Sequence, residues 1–214
     1  MSLILYGHPF SSYTWKALIP LWVNDTPFEF RSVEQHGPEF AALSPFGQFP
    51  LLVDEGRVVA ESSIIIEHLD RHHPGANRWI PEGDEGLRVR FLDRVFDQRV
   101  MDKATVAVGN AIRPEDNRDP FGVEQALGQL RRAYDWLEGQ LGDEGWAAGA
   151  QFTLADCAAA PALFYADWVD RIGPERPRLF AYRARLLAHP VVSRAIEGAR
   201  PFRHYFPLGA PDRD

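Results

Sequence analysis

Up to about residue 78 the apolar positions change their period from segment to segment, and beyond it they keep one helical period to the end. Leu3 to Tyr6 is a short apolar run closed by Gly7-His8-Pro9, which suits a buried strand ending in a turn. Trp15, Leu18, Ile19 and Trp22 recur at i, i+3, i+4 and i+7, the spacing of one helical face, with Ser11 or Ser12 placed to cap its start. Pro20 lacks the N–H that would bond four residues back, so this helix is expected to kink or end near Ile19. Phe28 to Val33 alternates apolar and polar residues as a second strand does. Leu51-Leu52-Val53, Asp54-Glu55-Gly56 and Arg57-Val58-Val59-Ala60 read as strand, tight turn, strand. Ser62 or Ser63 opens a helix with Ile65, Ile66 and Leu69 on one face, which His72-His73-Pro74-Gly75 ends.

Prolines and glycines crowd Pro74 to Gly86, where Trp79 and Ile80 are the large apolar side chains, and the segment reads as a linker. Leu87, Phe91, Val95, Phe96, Val100, Ala104 and Val108 then mark a long helix whose buried face drifts or bends. Val123, Leu127, Leu130, Tyr134, Leu137 and Leu141 form the stripe of a second long helix. Leu154 to Trp168, Leu179 to Leu187 and Val191 to Ile196 supply shorter ones, and Thr153 with Asp156 has the spacing of a reciprocal capping box. A small mixed α/β domain over residues 1–78, a linker over 79–86 and an all-helical domain over 87–214 follow from this pattern.

Composition narrows the function. With 45% hydrophobic and 25% charged residues in 214, the chain is an ordinary globular protein. A formal net charge of -7 argues against a basic face for nucleic acid or anionic lipid. The apolar run Leu18 to Val23 is interrupted by Pro20 and preceded by polar residues, unlike a signal peptide or membrane span, so a cytoplasmic location is expected. The one cysteine, Cys157, sits in an alanine run and suits inert packing; it allows neither a disulfide nor a Cys-x-x-Cys pair, so thiol chemistry must arrive with a ligand. His68 and His72 stand one helical turn apart beside Glu67, a spacing that can hold a metal. No third ligand is evident and a solvated helix end explains them, so no metal is expected.

Four motifs fall in order: Leu5-Tyr6-Gly7-His8-Pro9-Phe10-Ser11, Ser44-Pro45-Phe46-Gly47-Gln48-Phe49-Pro50, Glu61-Ser62 and Thr153-Leu154-Ala155-Asp156. In register across nearly the whole chain, they strongly resemble the cytosolic glutathione transferases. That resemblance implies a thioredoxin-like first domain of order βαβαββα, an all-α second domain, and glutathione as co-substrate. Pro50 would be a cis-proline, with Phe49 offering its backbone N–H and C=O to the cysteinyl part. Glu61 and Ser62, at a helix start, would take the ammonium and carboxylate of the γ-glutamyl end. Gln48 and His36 would meet the glycyl carboxylate, although a lysine usual in plant-like relatives is replaced here by His36.

The resemblance further implies a catalytic serine, Ser11, with Ser12 as its competitor, donating a hydrogen bond to the glutathione thiolate. Tyr6 reads as core packing. Phe10, Val106, Asn110, Phe164 and Trp168 are the expected pocket for a small hydrophobic electrophile, by their positions on helices that line the family's cleft. A homodimer is expected, with the helix from Leu87 in the contact. The Ser11 to Lys16 stretch is similar to isomerase-type relatives, whereas Gly7-His8-Pro9 and Phe46-Gly47-Gln48 are similar to plant-like ones. Conjugation, peroxidase, dehalogenase and isomerase chemistry share one activated thiol. A non-catalytic glutathione-binding scaffold is the alternative, since fold alone does not establish activity.

Overall fold

The computed structural model describes residues 3–44 and 46–213, so Pro45 of the second motif lies outside the described residues. Strands β1 (Leu3–Gly7), β2 (Glu29–Ser32), β3 (Leu51–Asp54) and β4 (Arg57–Ala60) form one mixed sheet ordered β2-β1-β3-β4. β1 runs parallel to β2 and antiparallel to β3. The β3–β4 hairpin has the register Leu51↔Ala60 to Asp54↔Arg57. Parallel pairing needs a crossover, which α1 (Ser12–Val23) supplies; α2 (Gly37–Leu43) joins β2 to β3, and α3 (Ser62–His72) follows β4. The order is βαβαββα. Gly7 closes β1 where the strand meets α1, and a Cβ there would stand 2.5 Å from Thr14 Cγ2.

Helix α1 does not stop near Ile19. It continues through Pro20 to Val23, and every residue from Thr14 to Leu21 is buried. Packing on all sides holds the turn that a missing N–H would loosen. Beyond it, Asn24 N–H bonds Pro20 O at 3.2 Å and Thr26 N–H bonds Leu21 O at 2.9 Å.

In the second domain α4 (Gly83–Val95) begins ahead of the expected Leu87, and Trp79 and Ile80 of the connecting segment are buried in the helical core. Its inner face is Val89, Leu92 and Val95, whereas Leu87 and Phe91 are 67% and 54% exposed, so the expected stripe was set on the wrong side of its first turns. A π-helical turn, Phe96–Met101, separates α4 from α5 (Asp102–Ala111). The wider turn re-aims the chain, so Phe96, Val100 and Ala104 point inward, and it is the physical source of the drifting pattern. Against α7 (Leu154–Val169), buried along almost its whole length, pack the π turn, α4, α5, α8 (Pro177–Ala188) and, from the first domain, α1, while α6 (Pro120–Gln140) lies on α5 and α9 (Pro190–Ala199) on α1 and α8. Cys157 is wholly buried there, and burial pushes its thiol well up, which makes it inert. Among the described residues no helix is long and apolar enough to cross a membrane.

The box at the start of α7 is deeper than a surface cap. Asp156, fully buried, accepts Thr153 N–H and Thr153 Oγ–H at 2.8 and 3.0 Å, Ala147 N–H at 2.8 Å and Tyr182 O–H at 2.6 Å. A cap alone is worth about 0.5–2 kcal/mol. Removing this carboxylate strands several buried donors, so Asp156→Ala should lower unfolding free energy by about 3–5 kcal/mol. Urea titration of the purified variant checks this; a loss below about 1 kcal/mol would show the network to be dispensable.

Candidate active site

A cavity of about 560 Å³ lies where the first domain faces the bend between α4 and α5. Its near wall carries Ser11, Tyr13, Gln48, Phe49, Glu61 and Ser62, and its far wall Arg94, Asp97, Gln98 and Asp102.

Several hydrogen bonds fix the turn from β1 into α1. Phe10 N–H donates to His8 Nδ1 at 3.1 Å, Trp15 Nε1–H to Pro9 O at 2.6 Å, and Tyr165 O–H to Phe10 O at 2.8 Å. Ser11 is thereby held as the N-cap of α1, where its Oγ accepts Thr14 N–H at 3.2 Å. An oxygen that accepts the cap bond still has its own O–H to donate. Ser12, the first residue of the helix, is not part of the cavity wall. Tyr13 O–H donates to Asp102 Oδ1 at 3.3 Å; burial, with Asp97 and Asp102 nearby, pushes its phenol far up, so it stays neutral.

The second anchor is the start of α3. Among the described residues no side chain caps this helix, and its first residues, Ser62 and Ser63, line the cavity at the positive end of the helix dipole. Glu61 precedes it at φ 70, ψ 119, a conformation that side-chain-bearing residues rarely adopt and that costs about 1–3 kcal/mol. The Phe49–Pro50 peptide bond beside it is cis.

A charge cluster runs from the cavity wall into the protein behind it. Lys16 Nζ, on a residue with no exposure, lies 2.6 Å from Asp97 Oδ2, 2.6 Å from Asp93 Oδ1 and 2.9 Å from Ser63 Oγ. Ser63 O–H in turn donates to Asp93 Oδ2 at 2.9 Å, and Arg94 approaches the same oxygen at 3.2 Å. The Asp93 Oδ1 contact is ionic and lacks hydrogen-bond direction. Burial pushes the Asp97 carboxyl up, against the pull of Lys16. Glu61, Asp97 and Asp102 leave the cavity able to receive an ammonium group.

Other expected residues fall elsewhere. His36 ends the loop before α2, its Nδ1 beside Ser32 O at 3.2 Å, and is not in the cavity wall. Phe164 and Trp168 are 1% and 6% exposed; they join Phe10, Trp15 and Tyr165 in an aromatic cluster, so Phe164 is core rather than pocket. Asn110 Oδ1 accepts Asp119 N–H at 2.7 Å, and Val106 is 40% exposed on α5. Tyr6 is buried against Phe40 and Leu51. Sequence reasoning missed the whole far wall and Lys16, although a lone charge inside an otherwise apolar helix is itself a signal of a buried partner.

Two family models match the chain and together cover more than half of it: the glutathione S-transferase N-terminal domain over residues 5–77 and the C-terminal domain over 120–185. The chain belongs to the glutathione S-transferase family. Among its relatives, a probable maleylacetoacetate isomerase of Vibrio cholerae is 28% identical, over 94% of this chain and 98% of its own. A glutathione S-transferase of Hyoscyamus muticus is 27% identical over 92% and 99%. A glutathione S-transferase of Methylobacterium radiotolerans, solved in complex with glutathione sulfonate, shares the fold with a TM-score of 0.80 at 24% identity, over 92% of this chain and 95% of its own.

Lys16→Met should lower stability by about 3–5 kcal/mol, because it leaves two carboxylates buried without their counter-charge. Adding Asp97→Asn to Lys16→Met should recover part of that loss. Urea unfolding of both variants reads the coupling, and simple additivity of the two substitutions would contradict the assigned network.

Proposed function

We propose that the protein is a serine-type glutathione transferase in which Ser11 stabilises the glutathione thiolate for attack on a small hydrophobic electrophile. The observation that carries this reading is the placement of Ser11: its oxygen is occupied by the cap bond, while its hydrogen is free to reach a sulfur in the cavity. The rest of the peptide finds matching partners. The γ-glutamyl carboxylate suits the uncapped start of α3 at Ser62, its ammonium suits Glu61 and Asp97, the cysteinyl backbone suits Phe49, and the glycyl end lies toward Gln48. His36 could reach the glycyl carboxylate only by leaving Ser32. The thiol gives its proton to water, the sulfur lone pair forms a bond to the electrophilic carbon, and the pair displaced from that carbon leaves with a leaving group or takes up a proton. Neutral Tyr13 serves as a wall and is not the base.

A homodimer is the proposed assembly. Phe46 of the first domain and Leu87, Phe91 and Trp136 of the second are exposed apolar side chains, which supports a contact covering both. Light scattering at micromolar concentration should give twice the chain mass; a single species of 24.2 kDa would end this proposal.

A free thiol titrates near about 8.5. One charge-assisted hydrogen bond of about 1.5–3 kcal/mol accounts for lowering that by about 1–2. Thiolate absorbance of bound glutathione followed against pH should therefore move up by about 1–2 in Ser11→Ala and stay in place in Ser12→Ala. The reverse result would transfer the role to Ser12, and no movement in either would defeat the serine mechanism. Tight binding to glutathione resin without turnover across several electrophile classes would favour a scaffold instead.

A further inference from the structure

Transferase chemistry leaves the histidines at the end of α3 without a task. Spacing along the helix pairs His68 with His72, yet the structure joins His68 to His73. His73 follows the last turn of α3 at φ -130, ψ 55, outside helical geometry, and its Nε2 lies 2.8 Å from Asp54 Oδ2. His68 Nε2 lies 2.8 Å from the same oxygen. The three donor atoms are all within 4.8 Å of one another, and the side chains of His68, His73 and Asp54 are 7%, 18% and 14% exposed. His72 stacks on the His68 ring with centroids 4.5 Å apart and stands in the field of Arg57 and Arg71, a poor place for a cation.

We propose that Asp54, His68 and His73 form a binding site for one zinc ion that clips the β3–β4 turn to the C-terminal end of α3. Two imidazoles and a carboxylate make a borderline donor set that suits divalent zinc, with water completing a tetrahedron. Ligand bonds of about 2.0–2.2 Å place neighbouring donor atoms about 3.3 Å apart. The present 2.8 Å contacts therefore need to open by a few tenths of an ångström while the two imidazole nitrogens, within 4.8 Å of each other, draw together, a movement that His73, just past the helix end, can supply. Each imidazole gives its Nε2 lone pair to the metal, in place of the contact that nitrogen now makes with Asp54. Asp54 is held as carboxylate: burial pushes it up, but the bonds from His73 and His68 outweigh burial. None of the three lines the cavity at the other end of α3, about 15 Å away along an 11-residue helix, so the site is independent of the thiol chemistry.

The test uses the untagged full chain, freed of metal by a chelator and kept without glutathione, whose thiol would compete. Zinc titrated by calorimetry, and cobalt by its visible ligand-field absorption, should each bind one to one, and zinc should raise the melting temperature. Asp54→Asn and His73→Gln should each weaken binding by about tenfold or more and abolish the zinc-dependent rise, whereas His72→Gln should bind as wild type does. Melting curves without metal establish that the variants fold. Absence of saturable binding in the wild type would overturn the proposal and leave the triad a hydrogen-bonded clamp. Binding that survives in both Asp54→Asn and His73→Gln would overturn it as well, because the ion would then be held elsewhere.

Discussion

Lys16 Nζ gathers Ser63 from α3, Asp93 from α4 and Asp97 from the π turn around one residue of α1. Desolvating an ammonium costs several kcal/mol, and the cost is offset only when its counter-charges are in place. The arrangement therefore ties both domains to one geometry. Shift α4 outward and a charge loses its partner; rotate α3 and Ser63 leaves the network. Ser11 and Ser62 stand at the N-terminal ends of the two helices so fixed, and their separation is set by this buried ion-pair network. The net contribution to stability is smaller than the contacts suggest, and the gain is uniqueness of position.

Strain and order are combined at the same place. Glu61 keeps an unfavourable backbone conformation because the hairpin before it and the buried first turn of α3 after it leave no room to relax. The turn before α1 is held by His8, Trp15 and Tyr165, the last from the second domain. A cavity built this way is organised before anything enters it, so little binding energy is consumed in ordering side chains.

The strands and the stripe of α6 were legible because each depends on local period, and the near wall because its motifs are short and contiguous. Failures have particular causes. Pro20 was read by its missing donor, but α1 is buried on every side and tertiary packing outweighs one lost bond. α2 starts at Gly37-Pro38 and has one buried residue, Phe40, so the residues themselves showed only a crossover, and its helix came from the resemblance. Leu87 and Phe91 are apolar yet face outward, and period cannot tell a buried apolar face from an exposed one. The far wall, Asp97 to Asp102, comes from a helix whose role exists only after the domains meet. His73 escaped because its ring is placed by the end of a helix rather than by its repeat.

The π turn has a bearing on chain length. Such a turn accommodates one residue more than an α-helix of the same rise, and the helices on either side keep their faces whether or not it is there. Loss of a single residue within Phe96–Met101 would thus leave Val89, Leu92, Ala104 and Ala107 packed as they are, and disturb chiefly the stretch that carries Asp97 and Gln98. Insertions and deletions are usually confined to surface loops. Here a π turn between two helices offers such a site beside the cavity, where a change of one residue would redraw the far wall while the core stays intact.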